Sequence, residues 1–98
     1  MKFKTGQLLM TRFVNDAAAS NTDFAKILIA SVSRHVKGDW GDVCKEDWQT
    51  NEDALRNGFR LFSVYALGHL AKEIGEKKIW IITEADRSAT TVLFPSEY

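Results

Sequence analysis

The sequence predicts one α+β domain in which a first strand and two helices precede three consecutive strands. Three observations carry that reading. Phe24, Ile27, Leu28 and Val32 recur at helical spacing in the first half of the chain. After Gly58 the apolar period shortens from about 3.6 residues to about 2. From Phe59 onward, strand-like runs follow one another across short connections, which favours antiparallel neighbours. The expected order is β-α-α-β-β-β: an antiparallel sheet with two helices packed on one face, residues 1–98 forming a single domain.

Each element follows from local chemistry. Gln7–Arg12 is a short apolar run after Gly6 and reads as a strand that joins the sheet edge. Residues 13–20 read two ways, with Asn15 and Asp16 able to start a helical turn through Ala17, Ala18 and Ala19. Ser20-Asn21-Thr22-Asp23 supplies N-cap candidates for an amphipathic helix ending near Val36, with Gly38 as its stop. Gly38-Asp39-Trp40-Gly41-Asp42 is a tight turn, and Asp42 is the expected cap of a second helix over 43–57, closed by Asn57-Gly58. Cys44, Trp48 and Leu55 share its face with Asn51 between them. Residues 59–67 alternate with apolar side chains on both faces, which predicts a central strand. Lys78–Thr83 and Ala89–Phe94 make the last two strands, joined by a hairpin loop at Glu84–Ser88, and Gly68–Glu76 reads as a loop.

Composition excludes several classes. An apolar share of 45% is ample for a core, which argues against disorder. The single cysteine, Cys44, rules out an intramolecular disulfide and reads as a thiol filling a helix face. No signal core or membrane span is evident, so the expected location is the cytoplasm. Net charge is zero, but residues 39–53 hold Asp39, Asp42, Glu46, Asp47, Glu52 and Asp53 against Lys45 alone. Nucleic-acid binders draw much of their affinity from a basic excess, which is missing here, so nucleic acid is not the expected partner. The acidic strip reads as a solvated helix face or as a docking surface for a basic partner.

Four stretches together resemble a known family: Arg34-His35 with Gly38–Asp42; Asp47 with Asn51 and Ala54-Leu55; Gly58 with Arg60-Leu61 and Ser63-Val64-Tyr65; and Ile79 through Thr91. In that order, over about residues 34–98, they are similar to small proteins of bacterial plasmids and other mobile elements. Members are labelled "plasmid-related protein" or, misleadingly, "type I restriction endonuclease subunit M". A methyltransferase subunit needs a large cofactor-binding domain with a glycine-rich loop, and the sequence supplies neither. The resemblance therefore implies an origin in mobile elements, and the family's function is unknown.

The candidate binding surface comprises His35, Asp39, Trp40, Asp42, Asn51, Arg60, Glu84, Asp86 and Arg87. Carboxylates with a histidine suit a divalent ion or acid–base work, but no metal-ligand spacing is present, and neither a metal nor a cofactor is expected. Bland roles compete at each position. Asp42 caps a helix, Asp86 stabilises a turn, Trp40 plugs the core, and Asn51 is a buried amide tying loop backbone. Arg60 and Arg87 are expected to bridge Asp39 or Asp42 as a clasp between helices and sheet. Ser63 and Ser88 lack a nucleophile elbow or an adjacent base, so no catalytic residue is assigned. The favoured function is docking to a protein partner through the acidic strip and hairpin tip. The alternative is a small-ligand or nucleotide site at His35, Asp39, Asp42 and Arg87.

Overall fold

Apolar residues at helical spacing need a sheet to cover, and in the computed structural model, which describes residues 2–98, they find one. The chain runs β1 (Gln7–Met10), α1 (Arg12–Ser20), α2 (Thr22–Val36), α3 (Lys45–Asn57), β2 (Leu61–Ala66), α4 (Ala71–Ile74), β3 (Lys78–Thr83) and β4 (Ala89–Leu93). The α+β class is as the sequence predicts, with more helix than expected. Residues 12–20 form a full helix, and Gly68–Ile74, read as loop, is a 3-10 turn running into one turn of α4.

Local signals account for the long helices. Asn21 caps α2 by accepting a hydrogen bond from the Phe24 amide at 3.0 Å, and Asp23 sits in its first turn. At α3 the cap is Cys44, whose Sγ accepts from the Asp47 amide at 3.4 Å. The cysteine is exposed, not packed on a helix face. Asp42 lies too far upstream to cap α3 and instead accepts from the Ala66 amide at 2.8 Å. Gly58 closes α3 at φ +72°, a left-handed position that glycine adopts without strain.

The sheet order is β1-β4-β3-β2. β2, β3 and β4 form the expected antiparallel meander, but β1 pairs with β4 in parallel, so the sheet is mixed. The hairpin rule fails there because helices separate β1 from β2, and a helical crossover brings the chain back to the end at which it started. β2 is also not central. With β1 added to β4, the meander leaves β2 on the outside, and the two inner strands are β3 and β4.

All four helices lie on one face of the sheet. α1 and α2 bring Val14, Phe24 and Leu28 against Tyr65, Ile79, Ile81 and Val92, and Ala71 and Ile74 of α4 pack against the same cluster. Ala54 of α3 joins Trp40 and Leu61 in an adjoining cluster. The register places Phe62, Val64, Trp80, Ile82, Thr91, Leu93 and Leu9 on the opposite face. Residues Pro95–Tyr98 reach that face, where Tyr98 meets Trp80 with ring centroids 5.7 Å apart. No helix among the described residues is long and apolar enough to cross a membrane.

Candidate functional site

His35 occupies the last turn of α2 and is fully buried. Its Nδ1 meets Ser63 Oγ at 2.5 Å and its Nε2 meets Thr83 Oγ1 at 2.8 Å. Thr83 Oγ1 continues to Thr90 Oγ1 at 2.8 Å, and Thr90 donates to the Thr5 carbonyl at 2.8 Å. Each hydroxyl has one proton, so the chain runs in one direction. Thr90 spends its proton on Thr5, Thr83 therefore donates to Thr90, and His35 must donate to Thr83 through Nε2–H. Nδ1 is then the acceptor and Ser63 the donor. Every member is satisfied with a neutral imidazole, and burial pushes its pKa down to about 4.

Ser63 thus has a base beside it after all, brought from 28 residues away by the fold. Nucleophilic chemistry still has no support. Ser63 and His35 are closed to solvent, and an imidazole with so low a pKa is a poor acceptor for a serine proton. Phe3 and Trp40 close the pocket, each edge-on to the imidazole with centroids 5.3 and 5.5 Å away.

The remaining predicted residues are mostly consumed by backbone. Asp39 forms a two-pronged pair with Arg34, at 2.8 Å to Nε and 3.2 Å to Nη2, which holds its carboxyl below the usual range. Arg34 also lies 4.9 Å from the centre of the Tyr65 ring. The Tyr65 hydroxyl donates to the Asp39 carbonyl at 2.7 Å, and burial pushes its pKa up to about 12. Trp40 is a core plug, its indole Nε1 buried without a partner. Asn51 is buried on α3 with both ends of its amide on Phe62. Asp86 accepts from the Ser88 amide at 2.9 Å, and Glu84 is exposed in the same turn.

The expected arginine–carboxylate clasp does not form. Arg87 donates to four carbonyls: Phe59 at 2.7 Å, Glu84 at 3.1 Å, Ala54 at 3.2 Å and Ala85 at 3.3 Å. Of these only the Ala54 carbonyl belongs to α3, where it also accepts from the Gly58 and Phe59 amides and lies at the negative end of the helix dipole. Arg60 donates to the Tyr98 hydroxyl at 3.1 Å. His35, Asp39, Asp42 and Arg87 therefore do not converge on a shared cavity. No group of three or more His, Cys, Asp and Glu among the described residues could hold a metal ion.

What remains open to a ligand lies elsewhere. On the helix-free face Arg60, Phe62, Trp80, Ile82 and Tyr98 line a groove of about 350 Å³. Phe62 and Tyr98 each meet the Trp80 ring edge-on, and the Arg60 guanidinium lies 5.6 Å from the Tyr98 ring centre. Of the nine predicted residues only Arg60 lines this groove. Phe62 and Trp80 were legible as strand residues, but which face they share depends on the pairing register. No family model, curated protein or solved structure matches the chain.

Proposed function

We propose that the chain is a small docking protein, an accessory factor of a mobile element, that binds a protein partner across its helix-free sheet face. The observation that carries this reading is the groove itself. It offers an arginine, a tryptophan and a tyrosine around an apolar floor, the residue types that dominate binding energy at protein interfaces. The acidic strip is a weaker candidate. Asp39 and Asp42 are already spent on Arg34 and the Ala66 amide, and Asp53 pairs with Arg56 at 2.8 Å.

The test is affinity capture from native-host extract on immobilised wild type, Arg60→Glu, Tyr98→Ser and the pair Glu46→Lys, Asp47→Lys. The partner is then purified and its binding measured. Loss of at least tenfold in affinity for Arg60→Glu and Tyr98→Ser, with the α3 variant unchanged, supports the sheet face. Loss in the α3 variant alone moves the site to the acidic strip. Capture of a nucleotide or other small planar ligand would favour the alternative reading, relocated to the aromatic groove.

A further inference from the structure

β1 is an edge strand whose four residues, Gln7, Leu8, Leu9 and Met10, are all exposed. Gln7 and Thr11 donate their amides to Ser88 and Val92. Strand alternation then turns Leu9 inward as well, and directs the amide and carbonyl groups of Leu8 and Met10 away from β4. The usual guards against edge pairing, a lysine, a proline or a bulge, are missing from this strand. Beside it Leu8, Met10, Leu28, Ile29, Val32 and Val92 line an apolar groove of about 330 Å³, with Ile29 71% and Leu8 53% exposed.

We infer that β1 pairs antiparallel with β1 of a second copy of this chain, about a two-fold axis at Leu9. The register is self-complementary. Leu8 falls opposite the second copy's Met10, and Met10 opposite its Leu8. These are the residues with outward-facing backbone, so each pair exchanges two hydrogen bonds, and Leu9 faces its own copy in the close, non-bonded position. Charge selects for self-pairing too. Neither the strand nor the groove lining carries a charge, and the chain's net charge is zero, so two copies meet without repulsion. A partner recognised by charge would find nothing to hold. In the two-fold pair the grooves of the two copies adjoin and close over Leu8 and Met10.

The groove presents six apolar residues per copy and the strand adds Leu9, far fewer than the roughly 20–30 residues on each side of a standard stable interface. The dimer is therefore weak and concentration-dependent. This surface is independent of the aromatic groove, so either reading can fail alone.

The test places single cysteines along β1 in a Cys44→Ser background, which removes the one native thiol. About the proposed axis the two Leu9 Cα atoms lie roughly 4.5 Å apart, within disulfide reach, whereas the two Gln7 positions are roughly 14 Å apart. Under mild oxidation Leu9→Cys should form a covalent dimer and Gln7→Cys should not. Sedimentation of the wild type should show the average mass rising from 11.1 kDa toward twice that value with concentration, and Leu8→Lys with Met10→Lys should hold it at the monomer. A monomer mass for the wild type at millimolar concentration, or equal crosslinking at positions 7 and 9, overturns the proposal.

Discussion

Asn51 and Phe62 are joined as two strand residues would be, although Asn51 belongs to a helix. The Asn51 amide donates to the Phe62 carbonyl at 2.7 Å and accepts from the Phe62 amide at 3.0 Å. One side chain thereby satisfies both outward backbone groups of an edge residue of β2. The neighbouring segment continues the cover. Val64 donates to the Trp40 carbonyl at 3.2 Å and accepts from the Asp42 amide at 2.7 Å. Gly41 makes this approach at φ +73°, where an added Cβ would sit 2.0 Å from the Val64 oxygen. Together these contacts stand in for the missing neighbouring strand.

Asn51→Leu should accordingly lower stability by about 1–3 kcal/mol, because it leaves the part-buried N–H and C=O of Phe62 unpaired. Asn51→Asp should be at least as damaging at neutral pH, since it sets a carboxylate against the Phe62 carbonyl. Urea unfolding at pH 7 measures both, and a loss below about 0.5 kcal/mol for the leucine variant would show that the amide contributes little.

The His35 chain predicts a pH dependence. The folded pKa of about 4 lies below the ordinary value of 6.5, so the unfolded chain binds the proton more tightly. Stability contributed by the neutral imidazole is complete above about pH 6.5 and falls as pH drops toward 4. The loss across this window should be about 3 kcal/mol. Asp39, Asp53, Asp86 and Glu97 all have lowered pKa values, so their losses come at more acid pH. Denaturant unfolding at pH 7, 5.5 and 4 should show the decline in wild type and not in His35→Gln, which starts less stable. An unchanged slope in the variant would remove His35 as its source.

Arg87 combines a bonding role with a strained backbone, and two substitutions separate them. It is the one non-glycine residue with positive φ among the described residues, at +60°. Arg87→Ala and Arg87→Gly both lose the links to Ala54 and Phe59, so both should be less stable than wild type. The glycine variant should recover about 1 kcal/mol over alanine, because it has no Cβ to clash in the left-handed region. Equal stability of the two in thermal unfolding would argue that the position carries no strain.

The sequence by itself determined the class of the fold, the span of the α2 helix, the meander of the last three strands and the inward placement of Trp40. All are written in local periodicity, capping chemistry and short connections, which act over a few residues and need no distant partner. It did not determine the sheet order, because hydrophobic alternation reports coverage of a strand and not what covers it. Residues 59–67 read as central since both faces are apolar, yet β2 lies at an edge screened by Trp40, Asp42 and Asn51. The α1 helix depends on a distant residue in the same way. Thr11, its N-cap, donates to Glu97 at 2.6 Å, and Glu97 also accepts from the Phe13 amide at 3.2 Å. Burial opposes ionisation of Glu97, but bonds from Thr11, Phe94 and Phe13 outweigh it and lower its pKa. Only tertiary structure could set His35 against Ser63 and Thr83, or gather Arg60, Phe62, Trp80 and Tyr98 on one face. Those groupings depend on strand register and chain crossing, which are decided by the packing of the whole core and leave no signature within any single window of the chain.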